Sequence, residues 1–167
     1  MATGNMDLIL PLSEQHIAAI GRVTAYFSLL ETSANALISD LLSLKSQEDV
    51  VSITAHMMFS TKIQLLRTLA STRFQEDNDL GKFLSETLND MEKANVQRNT
   101  IVHASWYYYS PDKNESGALK RTARGKIATS LEGFTPDEIC DIAKLILVTS
   151  GKAQQFLLRK NGTLQLG

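Results

Sequence analysis

The sequence predicts an all-α protein: an up-and-down bundle of four long helices, with a β-hairpin or ordered loop inserted before the last helix. Three observations predict it. Apolar residues recur at spacings of three, four and seven over four stretches. The three prolines, Pro11, Pro111 and Pro136, all fall at boundaries between those stretches. The run Thr135-Pro136-Asp137-Glu138 has the form of a helix start, with a capping Thr, Pro at the first helical position and Glu three residues after the cap.

A chain of 167 residues is expected to form a single domain, 1–167, with a core of its own. The formal charge of −1 argues against a coater of nucleic acid that works by bulk positive charge. Any RNA contact has to come from a local patch. The single cysteine, Cys140, excludes an intrachain disulfide framework and reads as a core or flank residue. No apolar run approaches the ~18–20 residues of a membrane span. Met1 to Leu12 has no basic n-region and too short an apolar run for a signal peptide, so a cytoplasmic protein is expected. In that compartment the sequons at Asn114 and Asn161 carry no meaning.

Residues 1–12 are a leader whose strip Leu8-Ile9-Leu10 can pack on the bundle. Ser13 is a natural N-cap, with Glu14 favourable to the helix dipole. Ile17, Ile20, Val23, Phe27, Leu30, Leu37 and Leu41 then mark one helix to about Leu44, roughly 48 Å long at 1.5 Å per residue. Glu31 sits mid-helix among apolar neighbours. It is either a solvent-facing residue or an ion-pair partner that orients Arg98.

Lys45 to Asp49 is a short connection. Val50 to about Thr72 reads as a second helix, with Ser60 a candidate break or cap. Met57, Met58 and Phe59 look like core packing. His56 has no companion at metal-ligand spacing. Asp77 or Asn78 caps a third helix, whose stripe is Leu80, Phe83, Leu84, Leu88, Met91 and Ala94. Short loops predict that these three helices alternate in direction. Residues 104–134 change character. Trp106 to Tyr109 favours a strand, 111–117 is turn-forming, and Leu119 to Ser130 can return as a second strand. Lys113, Lys120, Arg121, Arg124 and Lys126 make this the one basic cluster. It is either a solvated loop tip or a phosphate-binding flap, with tyrosine rings to stack bases. The last helix buries Ile139, Ile142, Ala143, Ile146, Leu147 and Phe156 and stops at Asn161-Gly162.

The stretch with chemistry is Gln97 to Trp106, where the third helix gives way to the aromatic run. Asn99 and His103 are four apart and share a helical face. Arg98 points roughly 140° away from His103, but its long stem can bring the guanidinium round. Ile101 and Val102 pack inward and fix the turn. His103 at a helix C-terminus, its cationic form favoured by the macrodipole, would serve proton transfer, and Arg98 would hold a phosphate. The same residues would also serve as plain caps for the last carbonyls.

Arg98-Asn99-Thr100-Ile101-Val102-His103 resembles the RN-x-x-x-H motif of the HEPN superfamily. The wider pattern over residues 13–106 is similar too: a long first helix with Glu31 at its middle, a Leu-rich second, and the motif near the end of the third. Trp106, just after the His, is similar to a set of uncharacterised bacterial proteins in that group. The resemblance implies a helical homodimer and a metal-independent ribonuclease site where two motif copies meet, with Arg98, Asn99 and His103 catalytic and Glu31 orienting. It also implies a place among toxin or defence components, with RNA as substrate and an antitoxin protein as partner. Trp106, Tyr108, Lys120, Arg121 and Arg124 are then the candidate substrate contacts. No metal and no cofactor are expected, since the chain has no ligand spacing and no Gly-rich phosphate loop. Residues 107–134 match no pattern of the superfamily, and many of its members keep the fold and bind without cutting. A non-catalytic dimerisation or partner-binding module therefore stays open beside the ribonuclease.

Overall fold

The computed structural model describes residues 11–74, 78–122 and 128–162, with the side chains of 120–122 and 128 left aside. Among these residues are five α-helices and a three-stranded antiparallel sheet. The leader strip Leu8-Ile9-Leu10 lies outside the described residues.

Helix α1 spans Glu14–Leu42 and starts on Ser13, whose hydroxyl accepts from the His16 N–H. It stops short of the expected Leu44 because Ser43 turns left-handed, with φ 55°, and the Leu44 N–H folds back onto the Ser39 carbonyl at 2.9 Å. The expected second helix is two helices, α2 (Gln47–Thr54) and α3 (Phe59–Arg73). The break falls at residues 55–58, and Ser60 lies inside the first turn of α3. The burial pattern explains it. Val50 and Thr54 are buried one turn apart, as are Phe59 and Ile63. A straight helix would place Phe59 roughly 140° round from Thr54. The bend lets Phe59 meet the Phe27 ring edge-on, with centroids 4.8 Å apart.

Helix α4 (Asp79–Val102) is capped by Asn78, whose Oδ1 accepts from the N–H groups of Leu80 and Gly81. Helix α5 (Pro136–Lys160) opens with the capping box read from the sequence. Thr135 Oγ1 accepts from the Glu138 N–H, and Glu138 Oε2 accepts from the Thr135 N–H at 2.8 Å.

The helix directions depart from a plain up-and-down bundle. Arg22 meets Cys140, Ser33 meets Ser150 and Asp40 meets Lys160, so α1 and α5 lie parallel. Asp90 pairs with Lys152, and Arg159 lies over the Phe83 ring, so α4 runs against α5. Phe59 sits at the level of Phe27 and Phe74 at the level of Phe156, so α3 runs with α1. The short α2 carries the chain back along α1 and resets the direction of α3.

The insertion is a sheet rather than a single hairpin. Strands β1 (Ser105–Ser110), β2 (Glu115–Thr122) and β3 (Ala128–Phe134) pair antiparallel in that order. Only a 3-10 turn at Pro111–Lys113 and Asn114, left-handed at φ 46°, separate β1 from β2. The register slips between Trp106 and Tyr108, so Tyr107 is an extra residue. Trp106 pairs with Ala118 and Tyr108 with Gly117; neighbours on a strand face opposite ways, so the slip puts Trp106 and Tyr108 on opposite faces of the sheet.

The core gathers Leu30, Leu37, Ile38 and Leu41 of α1, Leu66 of α3, Leu84, Leu88, Met91 and Ile101 of α4, and Ile139, Ile146 and Phe156 of α5. At the N-terminal end of α1 the stripe runs through His16, which is fully buried, while Ile17 is 50% exposed. Leu147, expected in the buried face of α5, is also exposed. No described helix is long and apolar enough to cross a membrane.

Candidate functional site

The site forms where α4 ends. Ile101 is fully buried and Val102 packs on the core, so the last turn is held from inside. His103 leaves helical geometry at φ −101°, ψ 9°, while its N–H still bonds the Asn99 carbonyl at 3.2 Å. Asn99 and His103 are exposed on one face. Arg98, half-buried, lays its guanidinium 4.8 Å from the centroid of the Phe27 ring. From there Nη1 reaches Asn99 Oδ1 at 2.9 Å and His103 Nε2 at 3.1 Å. The stem does swing the charge round to the His face. The Arg98 Nε is buried and has no hydrogen-bond partner.

Arginine has only donors, so in this contact His103 Nε2 is the acceptor. Asn99 Oδ1 shares the same guanidinium nitrogen, and its Nδ2 donates to Asn95 Oδ1 at 3.5 Å.

A cleft of about 370 Å³ opens beside this cluster, between the end of α4 and the sheet. Val96, Asn99, Thr100 and His103 form one wall, and Ala118, Leu119, Glu132 and Phe134 the other. The cleft joins the imidazole and the amide to a largely apolar wall and one carboxylate.

The other residues singled out by sequence are placed differently. No hydrogen bond or ion pair links Glu31 to Arg98 among the described residues, and Phe27, Asn99 and His103 take the guanidinium instead. Trp106 is half-buried, its ring edge-on to Phe134 at 6.1 Å, which makes it packing between sheet and helices rather than a free stacking platform. Tyr108 lies across Gly117 on the other face of the sheet, where its hydroxyl reaches Glu115 at 3.4 Å. The backbones of Lys120 and Arg121 pair with Ser130 and Thr129 in β2 and β3. Their side chains, and all of Arg124, lie outside the described residues. Among those described, no three His, Cys, Asp or Glu side chains stand close enough to share a metal ion.

Two residues escape a reading of the sequence. Glu132 carries no sequence signal; only its pairing with Ala118 puts it on the cleft side of β3. His16 does have one, a His at the third helical position after a Ser cap. Its Nδ1 accepts from the Ser13 hydroxyl at 2.7 Å, and its Nε2 donates to the Phe134 carbonyl at 2.9 Å. Compared with known proteins, the chain matches no family model, no curated protein and no solved structure.

Proposed function

We propose that the protein is a metal-independent endoribonuclease of the HEPN type, acting as a homodimer. The observation that carries the proposal is the Arg98 Nη1 set 3.1 Å from His103 Nε2 and 2.9 Å from Asn99 Oδ1 at the mouth of a cleft. A phosphate drawn to Arg98 would lie beside His103 Nε2.

In the reaction, the substrate's 2′-oxygen attacks its own phosphorus, the bond to the 5′-oxygen breaks, and a 2′,3′-cyclic phosphate and a 5′-hydroxyl result. One proton leaves the 2′-hydroxyl and one reaches the departing 5′-oxygen. His103 of one protomer takes the first through Nε2, and the second copy's His103, entering the reaction as the imidazolium, supplies the other. Arg98 stabilises the charge on the phosphorane-like transition state, and Asn99 holds the phosphate. Two-fold symmetry supplies both imidazoles, since each chain offers a single His in this cluster. The Arg98 contact to His103 then exchanges for one to phosphate. A cytoplasmic location, an antitoxin protein partner and a role in toxin or defence systems go with the same proposal.

The test is cleavage of a broad RNA panel by the purified protein, with and without EDTA, and by His103→Ala. Cleavage is expected to persist in EDTA, spare DNA, yield cyclic phosphate ends and fall by about 10²–10⁴ in His103→Ala. Activity lost to EDTA, or retained in His103→Ala, overturns the mechanism. A folded dimer that cuts none of the panel leaves the chain a helical dimerisation or partner-binding module.

A further inference from the structure

We infer that the cleft beside His103 is a guanine-reading pocket, with the Glu132 carboxylate as the group that selects the base; this rests on the proposal that the cleft takes RNA. The volume of about 370 Å³ is that of a small-ligand pocket. Its walls divide by chemistry. Val96, Ala118, Leu119 and Phe134 offer apolar surface for the faces of a planar ring. Asn99 and His103 stand at the edge where the phosphate is held. Among the described residues of the lining, Glu132 is the one carboxylate.

Glu132 is placed there by the sheet. It pairs across β2 with Ala118, which is 2% exposed against the helices, and cross-strand partners share a face. Its carboxylate has no hydrogen-bond or ion-pair partner among the described residues, although Lys93 and Gln97 line the adjoining hollow with it. Glu132 is exposed, so its carboxylate oxygens are free to exchange water for donors in what binds in the cleft.

The four bases differ in the donors they present. A carboxylate only accepts, through two oxygens side by side. Guanine alone offers two adjacent donors on its Watson–Crick edge, N1–H and N2–H, which match those oxygens as a charge-assisted pair. Adenine and cytosine each offer one amino group beside a ring nitrogen whose lone pair faces the second oxygen. Uracil offers one N–H flanked by two carbonyls. A carboxylate therefore repels part of the edge of every base except guanine, and recognition becomes rejection as much as attraction. The nucleotide whose base enters the cleft lies directly beside the scissile phosphate at Arg98, so cutting is expected next to guanosine.

Equilibrium titration of the intact protein with GMP, AMP, CMP and UMP, followed by NMR or calorimetry, tests the pocket without requiring cleavage. GMP is expected to bind about tenfold or more tighter than the others, the scale of one bidentate pair, and Glu132→Gln is expected to abolish the difference. Equal affinities, no binding of any nucleotide, or a preference that survives Glu132→Gln overturns the inference. Mapping cuts in a mixed-sequence RNA separates it from the ribonuclease proposal. Cleavage with no guanosine bias removes the guanine pocket alone. Guanine-selective binding without cleavage removes the nuclease chemistry alone.

Discussion

The Nε2 of His16 donates to the carbonyl oxygen of Phe134 at 2.9 Å, between residues 118 apart in the chain. The other ring nitrogen accepts from the Ser13 hydroxyl, so one imidazole joins the start of α1 to the end of β3, one residue before the cap of α5. The ring is fully buried and both of its nitrogens are satisfied. His16→Ala leaves a cavity and an unpaired carbonyl, and is expected to cost about 2–4 kcal/mol of stability. Denaturant unfolding monitored by circular dichroism measures it. A loss of a few tenths would show that the link contributes little.

Arg98→Lys keeps the charge but not the fork. An ammonium cannot lie flat on Phe27 while donating to both Asn99 and His103. RNA cleavage is expected to fall about 10²-fold, the scale of one lost transition-state donor. The imidazole ¹⁵N spectrum of the wild-type protein should report the Nδ1–H tautomer of His103, and that pattern should change in the variant. Identical spectra would mean that the Arg98 contact does not set the tautomer.

A homodimer is expected in solution at micromolar protein, through an isologous contact that brings the two α4 ends together. Light scattering decides it. A clean monomer at that concentration removes the composite site, and with it the two-imidazole mechanism.

Gly117 is a glycine because of Tyr108. A Cβ at that position would overlap the Tyr108 ring. Gly117→Ala is expected to destabilise by about 1–3 kcal/mol as the ring is displaced. In a Tyr108→Ala background the same change should be nearly neutral, which is the coupling a double-mutant cycle reads. Additive effects would show that the two positions do not share the space.

The long helices and their caps were legible because periodicity and capping are local. Ser13, Asn78 and Thr135 each satisfy N–H groups within three residues. The Arg98, Asn99 and His103 cluster was legible for the same reason, since all three lie within one and a half turns. What lay beyond reach depends on pairing at a distance. The parallel run of α1 and α5 comes from the short α2, whose break is set by Phe59 finding Phe27. The third strand was hidden because Leu119 to Ser130 read as one strand, whereas β2 ends at Thr122 and β3 begins at Ala128; Glu115, Ser116 and Gly117, at the start of β2, read as turn. They are strand because Ser116 is fully buried and Gly117 lies under Tyr108. The bulge at Tyr107 separated two aromatic residues that simple alternation would have kept on one face. Glu132 acquires its place only through its register with Ala118.

The parallel pairing of α1 with α5 also sets when the protein can fold. Ser33, buried on α1, meets Ser150 of α5 at 2.9 Å, and His16 Nε2 finds its acceptor at Phe134. A chain emerging from the ribosome therefore carries α1 with one long side unmatched until α5 has been made. Contacts of such sequence separation close late and slowly. The segment bearing Arg98 and His103 is synthesised well before the scaffold that holds it. On the proposed ribonuclease reading, the site would stay unassembled near the ribosome that makes it, and would become competent only once translation had passed α5.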